Sequence, residues 1–506
     1  MNDKELGILR RLIFPLVVLL LFFAALPVSA ETLDERIKSL EEAQRANAEI
    51  QRANAEIQRA NAEELARLKG DQMELKKEAT AAAAALPEFR YRSGSGFRIR
   101  AADNDWEIRF FGRQMTYMSF FTDDNEPGEG AIQGAVQIRR FRPGFNFFWQ
   151  QGFYEAKFQI DTQNGGGSNQ GLLNAFDAEM FLHFEKVNPL LPTLGFGSSP
   201  SLGGIGYADG FSSKRGPRSE RAFINEGIGF TTGSQDRGIV LSWADLPLFG
   251  IGDVEFLNFG FGMDGAGTNN QFARTFEFAR NDSKSFTGSI GIRPFSQLKN
   301  KWLEGLRFSF VSRIKKEFNE GEDLNIRANQ IRSARVEFIR SADLAGQQQY
   351  YHPAVAWKIG PNDLIVGGYF WNAHLDDGNF NEGGLIQARG IKVLDELWLW
   401  SPKGWLRGSP REGGVSVVPL WQRADVDAPT GGLENCGCNS AHVTNAGVGL
   451  WYYFPGDVWN IGVVYDHWRV NNANGGSRGA GSVIEEGREG RTVNFNTVTL
   501  ISRFHW

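Results

Sequence analysis

From Tyr154 to Asp161 the chain alternates without a break: Tyr154, Ala156, Phe158 and Ile160 are apolar, while Glu155, Lys157, Gln159 and Asp161 are polar. A period of two puts the two sets on opposite faces of one strand. In a soluble sheet the apolar face would cover a core. In a membrane barrel it would meet lipid, and the polar face would line a water-filled lumen. The pattern returns to the end of the chain and predicts strands over Trp106–Asp123, Gln133–Asn146, Phe153–Thr162, Gly227–Thr232, Thr275–Ala279, Leu306–Lys315, Ala334–Arg340, Ala354–Ile359, Glu396–Trp400, Val443–Phe454 and Thr492–Trp506, among others. Gly- and Asn-rich connections separate them, and Asn164–Gln170, Thr193–Ser219, Asn372–Gly384 and Asn471–Arg491 are the long ones. Long loops alternating with short turns fit a transmembrane barrel. A soluble sandwich of about 400 residues would need several domains and linkers between them, and no linker is present.

The last strand points the same way. Val498, Leu500, Phe504 and Trp506 share a face, and Thr497, Thr499, Arg503 and His505 share the other. An amphipathic strand that ends the chain on an aromatic residue is similar to the C-terminal recognition signal of bacterial outer-membrane barrels.

Before the strands the period changes from two to seven. QRANAEI occupies 44–50 and 51–57, and QRANAEE follows at 58–64. With Leu33 at position a, that column reads Leu33, Leu40, Asn47, Asn54, Asn61, Leu68, Leu75, with Ala43, Ile50 and Ile57 at d. Three successive Asn fix register but weaken a coiled coil, so this one needs its copies held together by something else. A single charged helix or spacer is the alternative. The Ala run 81–85 and Pro87 are expected to end it, and residues 81–105 read as a link to the first strand. Residues 1–30 read as a secretory signal: Lys4, Arg10 and Arg11 precede an apolar run, and Val28-Ser29-Ala30 supplies the cleavage pattern. No later stretch approaches the roughly 20 apolar residues of a membrane helix, so a membrane would be crossed by strands alone.

Composition agrees: 60 Gly, 40 Phe and 14 Trp suit many turns and many interfacial rings. A net charge of −5 argues against nucleic acid as a partner. Cys436 and Cys438 fit no common metal pattern; they read as a strained loop disulfide, with two inert thiols the alternative, and are assigned no function. Enzyme readings are poor. Gly260-Phe-Gly262-Met-Asp-Gly265 satisfies a dinucleotide-binding expression but opens no helix, and six scattered histidines have no metal-ligand spacing, so no cofactor is expected.

Three segments carry a family resemblance: WEIRFFGRQMTY at 106–117, QIRRFRPGFNFFWQQGFYEAKFQID at 137–161, and SSKRGPRSERAF at 212–223. They resemble the phosphate-selective porin family, that of porins O and P. The resemblance implies an all-β transmembrane antiparallel β-barrel over 106–506, of about sixteen strands with eighteen as the alternative, preceded by a short α-helical coiled coil at 31–80. It further implies a homotrimer in outer-membrane lipid, multi-pass, passing small inorganic anions by passive diffusion along inward arginines. The coiled coil would then lie in the periplasm, with peptidoglycan as a candidate contact.

Guanidinium suits phosphate because it offers planar paired donors at permanent charge. Arg139 and Arg140 match the family's paired arginines. Neighbours on a regular strand point oppositely, so if Arg140 and Arg142 face the lumen, Arg139 does so only through a bulge or loop end near Pro143-Gly144. Arg109 and Arg113 share a face with Glu107, opposite Trp106, Ile108 and Phe110; Arg307 and Arg313 oppose Leu306, Phe308 and Phe310. From Pro87 onward 42 Lys+Arg stand against 45 Asp+Glu, a net of −3, so any anion preference must be local. Two other readings remain: a general or sugar-selective porin, for which aromatics should line the lumen, and a structural barrel tethering the outer membrane to the cell wall through the coiled coil.

Overall fold

The computed structural model describes residues 33–92, 96–121, 134–161, 174–198, 237–263, 284–328, 336–375, 384–409, 411–429, 433, 438–456, 458–471 and 492–506. Two units result, Met1–Ala85 and Leu86–Trp506.

The described part of the first unit is one helix, α1 (Leu33–Ala85). It runs through the alanine run instead of stopping there, because Ala is the best helix former. Pro87, which lacks an N–H and restricts the residue before it, lies just beyond its end. Ile37, Leu40, Ile50, Ile57, Leu65, Leu68, Met73 and Leu75 all stand exposed along it.

The second unit is a closed sheet. It opens with a hairpin, β1 (Glu88–Arg92) and β2 (Gly96–Arg100), within the stretch read as a link. The strands that follow are β3 (Trp106–Phe121), β4 (Gly134–Trp149), β5 (Tyr154–Asp161), β6 (Asn174–His183), β7 (Thr193–Ser198), β8 (Arg237–Leu248), β9 (Gly252–Met263) and β10 (Lys284–Arg293). Next come β11 (Leu306–Ala328), β12 (Val336–Ile359), β13 (Asn362–Leu375), β14 (Leu385–Ser401), the two-residue β15 (Gly404–Trp405), β16 (Gly414–Asp427), β17 (Ser440–Tyr453), β18 (Trp459–Asn471) and β19 (Val493–His505). Each strand from β3 pairs antiparallel with the next, except that β14 passes over β15 to β16, and β19 returns to β3. Setting aside the small pieces β1, β2 and β15, sixteen strands close into a barrel. Residues 193–198, expected in a long loop, are strand β7. The segments 227–232 and 275–279 expected as strands lie outside the described residues.

Connections 150–153, 249–251, 360–361 and 454–458 fall at one end of the barrel, the turn end, where β3 begins and the chain stops. The other, the loop end, carries the longest connection, 199–236.

Alternation assigns the two faces. Phe110, Met118, Phe120, Phe145, Phe286, Phe308, Phe370, Trp421, Leu450, Leu500 and Phe504 stand exposed on the outside, a large apolar surface that water would not tolerate. Across β19 the inward set is Thr497, Thr499, Arg503 and His505, all buried. The seam is sealed by the last residue: Gly112 N–H donates to Trp506 O (2.9 Å), and Trp506 N–H donates to Gly112 O (3.1 Å). The Trp506 ring covers Gly112 and packs with Phe141 and Phe504 at centroid distances of 5.7 and 5.8 Å. Glycine is required here, since a Cβ would stand 2.1 Å from the ring.

The expected polar lumen is only half right. On the inner face of β3, β14 and β16–β19, Met115, Tyr117, Leu394, Trp398, Val418, Leu420, Trp451, Tyr453, Val464 and Ile501 form one buried apolar cluster. Toward the loop end the same wall is small and apolar: Ala373, Ile386, Ala388, Ala424, Val426, Ala441, Val443 and Val470 are at most 2% exposed. These residues can be covered because β12 leaves the wall. It comes within 8 Å of β17 although β13, β14 and β16 lie between them, and a path along the wall would be about 19 Å at 4.8 Å per step. β13 pairs β12 only from Leu344 onward, so Val336–Asp343, paired with β11 alone, is the part free to cross. The β11–β12 ladder is irregular between Glu317 and Glu322, Asp323 and Asn325, and Ile326 and Arg327. Such interruptions bend a ribbon.

Candidate functional site

The inner wall opposite the apolar half is polar, and four of its cations lie at similar depth. Arg113 on β3 and Arg142 on β4 are direct cross-strand partners, both inward and nearly buried. Arg313 and Lys315 on β11 face inward and are nearly buried too. In the ring of sixteen, β11 is eight places from β3, so the two groups stand on opposing walls. Counted along each strand from the turn end, Arg113 is seven residues beyond Trp106, Arg313 seven beyond Leu306 and Arg142 seven before Trp149. Direct cross-strand partners project from the same face of the sheet, so the two guanidiniums concentrate positive charge on the inner wall.

Of the five arginines singled out in the sequence, the structure brings Arg113 and Arg142 together. Arg109 is farther toward the turn end, bound to the Glu107 carboxylate and lying over the Phe148 ring at 4.4 Å. The paired arginines sit at a register shift: Met115 pairs with Arg140 and Thr116 with Ile138, leaving Arg139 as the extra residue of a β-bulge. A bulge sets two residues against one, here Arg139 and Arg140 against Met115, whose side chain is inward and buried. The obstacle that alternation raised against the pair is thereby removed in the backbone. Arg307 makes a 3.8 Å contact with Glu255 near the turn end. The segment 212–223 lies outside the described residues.

Sequence reasoning missed Lys315, Lys157, Lys392 and Arg503. Lys315 was legible as the inward successor of Arg313 in Arg313-Ile314-Lys315. Lys157 is held by Glu179 at 2.7 Å. Arg503 donates to Asn460 Oδ1 (2.7 Å) and lies over the Trp451 ring at 4.2 Å, beside Glu396, which accepts from Ser416 (2.8 Å) and Tyr453 (2.9 Å). That buried network closes the apolar half toward the turn end.

Acidic groups gather at the turn-end rim. His183 bridges Glu155 (3.1 Å) and Glu185 (2.7 Å), and Thr193 Oγ1 donates to Glu185 (2.7 Å). Burial pushes the Glu185 carboxyl up, but the hydrogen bonds from Thr193 and His183 outweigh it and hold the group below its usual range. Among the described residues no group of three or more His, Cys, Asp or Glu side chains is arranged to hold a metal ion. Cys438 is disulfide-bonded, and Cys436 lies outside the described residues.

No family model and no curated protein matches this chain. Solved structures do. The anion-selective porin from Comamonas acidovorans is 12% identical, covering 79% of this chain and 100% of its own, with a TM-score of 0.45. The outer-membrane channel DcaP of Acinetobacter baumannii is 12% identical over 81% of this chain and 100% of its own, at 0.44. OmpF of Salmonella typhi, in complex with daunomycin, is 10% identical over 80% and 99%, at 0.44.

Proposed function

We propose that the chain is a bacterial outer-membrane porin, a passive channel for small anions, phosphate among them. The observation that carries this reading is the opposed set Arg113–Arg142 and Arg313–Lys315, at one depth inside a closed barrel whose outer face is apolar. An outer surface of Phe, Leu, Val and Trp supports lipid as its surroundings. Fixed cations on facing walls let an anion exchange its hydration shell for guanidinium donors and still leave, because no single contact holds it. Their low exposure supports a narrow passage, hence a selective channel over a general one. The bulge at Arg139 supports adding Arg139 and Arg140 to this ring. The β11–β12 ribbon narrows the lumen from the loop end.

Two alternatives are less well supported. A sugar channel needs a run of aromatic faces along the passage, whereas Trp398 and Trp451 are packed into the apolar cluster on one inner wall. A purely structural tether has no use for inward cations on facing walls of the barrel. The row of exposed apolar residues on α1 supports its association with other copies, consistent with a trimer. The test is single-channel recording of the purified protein in chloride, with inorganic phosphate titrated in. Block of the chloride current at low phosphate supports the reading; indifference to phosphate moves the protein to the general porins, and no conductance to the tether.

A further inference from the structure

The N-terminal hairpin is a second patch of positive charge, and the barrel wall itself positions it. β2 pairs with β3 at the turn end, where β19 has stopped: Phe97 faces Phe110, Arg98 faces Arg109, Ile99 faces Ile108 and Arg100 faces Glu107. β1 then pairs with β2, setting Arg90 opposite Arg98 and Glu88 opposite Arg100. The hairpin therefore continues the sheet below Trp506 and inherits its two faces. Outward, Phe89, Phe97, Phe110, Phe145 and Phe158 make an aromatic ladder across five strands, with successive centroids 6.0, 6.1, 6.4 and 5.8 Å apart. Inward, Arg90, Arg98 and Arg109 lie in one transverse row, and Arg100 lies in the next row beside Glu107.

These charges are unequally matched. Glu107 is nearly buried and receives Arg100 (2.6 Å) and Arg109, with Arg98 at 3.6 Å; Glu88 holds Arg90. Four guanidiniums thus share two carboxylates. Among the described residues, Arg98 has that one ion contact and no hydrogen bond, and Arg109 meets an acceptor only through its Nε. Both side chains are partly open, at 26% and 47%. Direct cross-strand partners stand about 5 Å apart, a separation one oxyanion spans with oxygens to both.

We propose that Arg98 and Arg109, with Glu107 holding Arg109 in place, form an oxyanion site at the turn-end mouth of the lumen, separate from the deeper arginine ring. Its ligand class is a small inorganic or carboxylate oxyanion in solution. The arginines lie on the face opposite the aromatic ladder, which disfavours a lipid headgroup. The site gathers anions at this mouth and hands them to the ring. It rests on the anion-channel reading for its role in transport, though not for binding.

The experiment uses the full-length protein in planar bilayers, with inorganic phosphate as the probe added to one chamber at a time. Wild type should be blocked at lower phosphate when the anion is added on the turn-end side. Arg98→Gln should raise the half-blocking concentration on that side about tenfold and leave the loop-end value unchanged. Arg98→Lys, which keeps the charge but loses the paired donors, should fall between. The hairpin is held by backbone pairing, so these variants keep the fold, and an unchanged urea midpoint verifies it. If Arg98→Gln leaves turn-end block unchanged while Arg113→Gln abolishes block from both sides, the mouth site is wrong and the channel reading stands. If phosphate blocks wild type from neither side, the phosphate-channel reading gives way to a general porin. Phosphate titrated into the detergent-solubilised protein, followed by 31P line broadening that Arg98→Gln leaves undiminished, then overturns the site as well.

Discussion

Replacing Gly112 with alanine tests whether the C-terminal residue closes the barrel. A Cβ on Gly112 would lie 2.1 Å from Trp506 Cζ2, 2.2 Å from Cε2 and 2.7 Å from Nε1. Ordinary contact begins near 3.4 Å, so the ring must retreat by more than about 1 Å. It cannot do so alone, because the same residue holds Gly112 through two backbone hydrogen bonds and packs with Phe141 and Phe504. Overpacking costs about 1–3 kcal/mol and the two hydrogen bonds about 1 kcal/mol each, for a total of about 3–5 kcal/mol. The assay is urea unfolding of protein refolded into lipid vesicles, followed by Trp fluorescence. Gly112→Ala should lower the midpoint with the slope unchanged. Gly288→Ala is the control, since its Cβ would meet nothing nearer than Phe259 Cδ1 at 4.0 Å. A Gly112→Ala barrel as stable as wild type, or one no weaker than Gly288→Ala, would refute the seam.

Three further outcomes are expected. Joining β11 to β12 by a short turn in place of Glu317–Gly346 should raise single-channel conductance severalfold, whereas an unchanged conductance would show that the ribbon does not narrow the lumen. Replacing Asn47, Asn54 and Asn61 by Ile should raise the thermal midpoint of the helical circular-dichroism signal by stabilising the a column; no shift would mean α1 has no partner. Removing Leu33–Ala85 should leave conductance and urea midpoint within error of wild type, because the barrel closes through β3, β19 and Trp506 without it; a collapsed conductance would make the helix part of the pore.

The strands that sequence reads well have lipid on one side and polar groups on the other. β5 and β19 are such strands, and their alternation appears directly in the burial of Gln159, Thr497, Thr499 and Arg503. The sequence pattern marks β14 only over Glu396–Trp400, because its inner residues Ile386, Ala388 and Leu394 are as apolar as its outer Ile391 and Val393. A strand covered on both sides loses its period. The β11–β12 ribbon failed for the opposite reason: in Glu317–Asn325 only Phe318 and Leu324 are large and apolar, and Glu320 and Glu322 separate them, so no apolar set alternates. Arg139 could not be placed from the sequence because a bulge leaves no compositional mark. The β1–β2 hairpin was legible, since EFRYR and GFRIR alternate aromatic or aliphatic residues with arginine around a Ser/Gly turn. Its brevity made it resemble a link.

The most direct test of the central claim is the reversal potential of the channel in a potassium chloride gradient, for wild type and for Arg113→Gln with Arg313→Gln. A wild-type potential on the anion-selective side that moves toward the cation side in the double variant, with the unfolding free energy within about 1 kcal/mol of wild type, is the predicted result. A wild-type channel selective for cations, or a potential indifferent to both arginines, would contradict the account.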